Sequence, residues 1–174
     1  FDKYVYDFQG KKAAGFKFKT DEMFLELYAD VTNYLQENSN IQVLFLRRKN
    51  LLDQYISHQV VLNQTAVTLI TDDKDRPVVQ PFEVDINDCK KYIACVKQRE
   101  KDALRLLSGH DVYFVNYEEL VDSQHVHGEM QRFLKLDVQP LSSKTKKIIK
   151  RQEDIVLNYT EVFSQLRDEG LIVM

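Results

Sequence analysis

The sequence predicts an α/β fold with a mainly parallel sheet, and three observations carry that expectation. The run IQVLFLR (residues 41–47) is almost continuously apolar, the pattern of a strand covered on both faces. A second run, VYFVNY (112–117), reads as a further strand. Around them apolar residues recur at helical spacing, so strands alternate with helices. There is no internal repeat, and 174 residues suffice for one domain, residues 1–174, with a sizeable core.

Taken in order, KKAAGFKFKT (11–20) alternates Phe16 and Phe18 with Lys17 and Lys19, which predicts a strand over 13–19. Thr20 can cap a helix carrying Phe24, Leu27, Tyr28, Val31 and Leu35, and NSN (38–40) stops it. After the 41–47 strand, a helix from about Asn50 presents Leu51, Leu52, Tyr55, Ile56 and Val60. TDDKDRPVVQP (71–81) is a loop or lid, with two prolines and a run of charges. Asp85 caps a long helix with the stripe Ile86, Cys89, Ile93, Val96, Ala103 and Leu107, which SGHD terminates. HGEMQRFLKL predicts another helix, and SSKTKKIIKR (142–151) is basic. A last helix carries Ile155, Tyr159, Val162, Phe163 and Leu166.

The formal net charge of −3 leaves no global field for nucleic acid or an anionic membrane, so any anion site must be local. Cys89 and Cys95 lie six apart in one expected helix, roughly 9 Å by helical rise, too far for a disulfide. A reduced, cytoplasmic protein is the expectation, with no membrane span, no signal peptide and no metal pattern. The first residues already read like the middle of a domain, which suggests a segment upstream of Phe1.

Two stretches bear on chemistry. Gly10 and Gly15 have the spacing of a phosphate-binding P-loop, but Phe16-Lys17 follow where Lys-Ser/Thr is required, and a strand is expected next. That pattern carries nothing. FLRRKNLLDQYIS (45–57) is different. Open α/β sheets bind ligands at the carboxyl ends of their strands, where helix N-termini offer free N–H groups. Arg47 and Arg48 stand at such an end, on opposite faces, and Ser57 in the following helix can add a hydroxyl. The alternative is a pair of solvated strand-end charges and a surface serine.

These residues resemble the 3′-phosphate-binding segment of sulfotransferases that use 3′-phosphoadenosine 5′-phosphosulfate, and most closely that of the bacterial carbohydrate sulfotransferases. AAGFKFKT resembles the preceding G-x-K strand, and VNYEELVD the Y-E-[DE]-L segment. MQRFLKLDV resembles the F-L-G-L helix end, with Lys135 where glycine is usual, and KIIKRQEDIVLNYTEV the lysine-rich stretch before Asn-Tyr. The resemblance spans most of the chain and implies a P-loop-type three-layer α/β/α fold. It also implies that Arg48 and Ser57 grip the 3′-phosphate, with Arg47 as a substitute for Arg48, and that Tyr117 reaches the adenine. The family's Pro-Arg-Ser-Gly-type loop has no counterpart here, since the first proline is Pro77, so an N-terminal truncation is expected.

Lys144, Lys146, Lys147 and Lys150 either close over the nucleotide phosphates, as the resemblance implies, or form a solvated face. His58 follows Ser57 but lies about 100° round the helix from it, the wrong face for a base. His125 and His127 are two apart, a poor metal spacing. Asn63-Gln-Thr65 and Asn158-Tyr-Thr160 match glycosylation acceptors but fall in expected helices.

The implied activity is sulfuryl transfer to a hydroxyl-bearing acceptor, such as a carbohydrate or glycolipid, with 3′-phosphoadenosine 5′-phosphosulfate as co-substrate and no metal. The general base is not identified. The alternative is a non-catalytic nucleotide-binding or interaction module that kept the 3′-phosphate grip. A nucleotide kinase is disfavoured by the missing P-loop lysine. A sheet of 13–19, 41–47 and 111–117 that lacks a neighbouring strand would either self-associate through that edge, as a homo-oligomer, or belong to a longer polypeptide that covers it.

Overall fold

The computed structural model of the chain describes residues 10–172. Its regular elements are α1 (Ala29–Glu37), β1 (Val43–Arg47), α2 (Leu51–Val60), α3 (Ile86–Leu106), β2 (Val112–Asn116), α4 (Tyr117–Asp122), α5 (Gln124–Phe133) and α6 (Tyr159–Asp168). The protein is mixed α/β, and β1 and β2 pair in parallel, with Val43 opposite Val112 and Arg47 opposite Asn116. Among the described residues no helix is long and apolar enough to cross a membrane. The chain divides into two compact units, one of residues up to Arg47 with Lys97–Leu141, the other of Arg48–Val96 with Ser142–Met174.

The first unit holds the sheet. Its core is Met23, Leu35, Phe45, Ala103 and Leu107, with Phe18, Ile41, Val43 and Val112 packed against it. Phe45 meets Phe114 edge-on at 5.8 Å. The expectation of strands covered on both faces is met only in part. Phe45 and Val115 are buried, but Leu46 and Phe114 are 52% and 44% exposed. A two-stranded ribbon shields less of each strand than a wide sheet does.

Two local expectations fail in this unit. Residues 13–19 carry no β-ladder. Phe18 instead turns to Tyr28, with ring centroids 5.8 Å apart, and into the core, so its alternation with lysines has no sheet to serve. The helix expected after Thr20 starts late. Glu22 accepts the Lys19 N–H at 3.1 Å, a series of turns follows to a 3₁₀ segment at Glu26–Tyr28, and only then does α1 begin. Met23 enters the core in place of Phe24 and Leu27, which stay 52% and 82% exposed. Thr32 fixes this turn by donating to the Met23 carbonyl at 2.8 Å.

The second unit is built on α2, the first half of α3, and α6. Its core includes Leu52, Ile56, Val60, Cys89, Ile93, Val162 and Leu166, all nearly or fully removed from solvent. Capping explains its helix boundaries. Asn50 accepts from the Leu52 and Asp53 N–H groups, and Asp85 accepts from those of Asn87 and Asp88. Gly170, at φ 67°, closes α6: the Leu171 N–H reaches the Leu166 carbonyl and the Gly170 N–H that of Arg167. The segment 71–81 is a loop apart from a 3₁₀ turn at Asp73–Asp75. The stretch upstream of Gly10, which bears on the expected N-terminal truncation, lies outside the described residues.

Candidate functional site

The eight candidate binding residues do not all belong to one unit. Arg47 and Tyr117 are in the first; Arg48, Ser57, Lys144, Lys146, Lys147 and Lys150 are in the second.

In the first unit Arg47 closes β1 and is exposed. Its guanidinium lies 5.0 Å from the centroid of the Phe114 ring, and its Nε donates to Asn116 Oδ1 at 3.2 Å. Both partners sit on β2, one opposite Arg47 in the register and one two residues back, so the sheet holds the side chain down. Arg47 also faces Glu100, whose carboxyl is pushed up by burial and drawn partly back by Arg47 and Lys97. Tyr117 is half-buried and starts α4 directly after β2, rather than ending the strand as the run VYFVNY suggested.

In the second unit Arg48 is half-buried and precedes the Asn50 cap by two residues. Ser57 is half-buried two turns into α2, roughly 9 Å of helix axis from Leu51. An anion touching both must therefore lie along the flank of α2. The tip of the helix is not open in the way expected, because Asn50 Oδ1 already takes the Leu52 and Asp53 N–H groups at 3.1 and 3.2 Å. Ser57 is committed as well: its Oγ donates to the Asp53 carbonyl at 2.8 Å. A phosphate oxygen only accepts, so this hydroxyl must rotate off the backbone before it can bind one.

Asp53 and Tyr159 complete this flank, and neither was singled out from the sequence. The Tyr159 hydroxyl shares hydrogen bonds with Asn50 and Asp53, which joins the first residue of α6 to the first turn of α2. Burial first, then the Asp53 and Glu153 carboxylates, pushes that hydroxyl up to about 12, so it stays a neutral donor. Both residues lie inside the quoted stretches NLLDQYIS and LNYTEV; their pairing was the unreadable part. His58 is exposed, with its ring 5.4 Å from that of Tyr92.

The lysine run is an irregular segment, and Lys144 and Lys147 are exposed. Lys146 forms an ion pair, its Nζ meeting Asp73 Oδ2 at 2.6 Å. Asp73 also binds the Arg76 guanidinium, and the two cations hold its carboxyl down to about 2. Arg76 in turn donates to the carbonyls of Lys147 and Ile148, and the Lys146 N–H to the Ile70 carbonyl at 2.9 Å. The expected lid and the expected basic loop are thus clasped together. Their charges were visible in sequence, their mutual pairing was not. Among the described residues no group of three His, Cys, Asp or Glu side chains could hold a metal ion. No protein-family model, curated protein or solved structure matches the chain.

Proposed function

We infer that the chain is a sulfotransferase domain, or a portion of one, using 3′-phosphoadenosine 5′-phosphosulfate and a hydroxyl acceptor such as a carbohydrate or glycolipid. One observation supports this most. FLRRKNLLDQYIS is laid out as a strand, a capped turn and a helix, with Arg48 just past β1 and Ser57 on the flank of α2. That is the arrangement the sequence resemblance requires of a 3′-phosphate grip. In the reaction the acceptor oxygen attacks sulfur, the bond from sulfur to the 5′-phosphate oxygen breaks, and the acceptor proton leaves to a base. The products are a sulfate ester and 3′-phosphoadenosine 5′-phosphate. Positioning and dispersal of the leaving phosphate's charge dominate such transfers. The three-layer P-loop-type arrangement, a cytoplasmic location and self-association belong to the same proposal.

Calorimetry with two nucleotides tests it. 3′-Phosphoadenosine 5′-phosphate should bind at least about tenfold more tightly than adenosine 5′-phosphate, since one charge-assisted bond contributes about 1.5–3 kcal/mol. Arg48→Ala should abolish that preference while the protein stays folded. Ser57→Ala should reduce it less, because its hydroxyl gives up the Asp53 carbonyl in order to bind. Equal affinities for the two nucleotides would remove the reading. Preference without sulfuryl transfer to any hydroxyl acceptor would favour the non-catalytic nucleotide-binding module.

A further inference from the structure

The second unit contains a cleft of about 210 Å³ that shares no lining residue with the proposed 3′-phosphate grip. Its walls are apolar: Pro77 and Val79 on one segment, Ile148, Ile149 and Ile155 on the other. Four of these, Val79, Ile148, Ile149 and Ile155, belong to or pack against the hydrophobic core, so the walls are backed by packed side chains. They are also pinned from both sides. Arg76 Nη1 donates to the Ile148 carbonyl at 2.6 Å, and the Phe82 N–H donates to the Ile155 carbonyl at 2.9 Å.

The rim is charged and unevenly balanced. Arg76, Lys150 and Arg151 stand there with one carboxylate, Asp154. Arg76 is satisfied by Asp73 and by backbone carbonyls. Arg151 reaches Glu153 and Asp154 only at 3.9 Å, and Lys150 has no ion pair among the described residues. An open apolar depression beside two weakly neutralised cations suits a molecule with an apolar body and one anionic group. Its walls take the body out of water, and Lys150 and Arg151 meet the charge. We propose that this cleft is a binding site for a small amphiphilic anion, an aromatic or short aliphatic acid, held by Lys150 and Arg151 over a floor of isoleucines. The proposal does not rest on the sulfotransferase reading.

The test is a nuclear magnetic resonance titration of the full chain with benzoate, benzamide and inorganic sulfate. Benzoate keeps both features, benzamide lacks the charge, and sulfate lacks the apolar body. Benzoate should shift the amides of 76–79 and 148–155 saturably, about three- to tenfold more tightly than either control, as expected for solvent-exposed cations on an anion. The double variant Lys150→Gln, Arg151→Gln should bring benzoate down to the benzamide level while its amide spectrum stays folded. Equal affinity for benzoate and either control would overturn the proposal. So would shifts centred elsewhere, no saturation at tens of millimolar, or a double variant that binds benzoate unchanged.

Discussion

Asn158 stands at the N-cap position of α6 yet does not cap it. Its amide is turned to Val84: Oδ1 accepts the Val84 N–H at 2.9 Å, and Nδ2 donates to the Val84 carbonyl at 3.0 Å. Three glutamines do the same elsewhere, Gln64 with the backbone of Gln80, Gln131 with Gln139, and Gln124 with Leu141. In each, one side-chain amide acts as a strand of a single residue, satisfying loop backbone that has no ladder partner. An aspartate at 158 keeps the acceptor but sets a carboxylate oxygen against the Val84 carbonyl. Asn158→Asp should therefore destabilise the protein by about 1–3 kcal/mol in urea unfolding at neutral pH. A loss below a few tenths would mean that this pair contributes nothing. The same commitment of the amide argues against the glycosylation match at this position. His110 is used in a similar way, each ring nitrogen 2.9 Å from a carbonyl oxygen, of Ile41 on one side and Leu35 on the other.

The end of α5 explains the lysine found where the resemblance calls for glycine. The Leu136 N–H reaches the Gln131 carbonyl at 2.8 Å and the Lys135 N–H that of Arg132 at 2.9 Å, the hydrogen-bond pair that closes a helix in a Schellman turn. Lys135 sits at φ 57°, where a side chain is disfavoured. The end of α6 has the same pair of bonds with Gly170 in that place. Lys135→Gly should accordingly stabilise the chain by about 0.5–1 kcal/mol, read as a raised urea midpoint, whereas Gly170→Lys should lower it. A lower midpoint for Lys135→Gly would show that the lysine makes a compensating contact. The resemblance placed a helix end at Lys135, and the hydrogen bonds show a lysine closing it in the conformation that glycine takes at 170.

Across the whole chain, carboxylates respond to acid in two opposite ways. Asp73, Asp137, Glu169 and Glu22 are each held below the usual range by hydrogen bonds to basic side chains or, for Glu22, first to the Lys19 backbone N–H. Their stabilisation is present above the unfolded-state values near 4 and is lost as pH falls through the lower folded ones. Asp73, Asp137 and Glu169 are exposed and Glu22 is only half-buried, so the effect of each is small. Glu100 runs the other way. Burial raises its carboxyl, so the folded chain binds more protons than the unfolded one and stability declines as pH rises through the window above 4.5. Glu100→Gln should raise the melting temperature at pH 7 and lose most of that gain at pH 4. An equal gain at both values would detach the effect from the carboxylate's charge.

What the sequence determined by itself is local. The helices at 51 and 86 begin where Asn50 and Asp85 cap them, the 71–81 loop stands where it was read, and the strand read at 41–47 forms over Val43–Arg47. Each depends on apolar spacing or on a side chain bonding backbone two or three residues away. Tertiary structure decided the rest. Whether 13–19 pairs as a strand depends on a distant edge, and its alternation of phenylalanine and lysine could not supply one. Arg48 and Ser57 were read as a pair from their spacing, but the engagement of Ser57 with a carbonyl and of Arg47 with Phe114 was not legible. Asp73 finds Lys146 73 positions along the chain, and Asn158 finds Val84 74 positions away. Such pairs form only after the cores have closed the intervening chain, because burial of apolar surface and not the pair itself offsets the entropy of bringing them together.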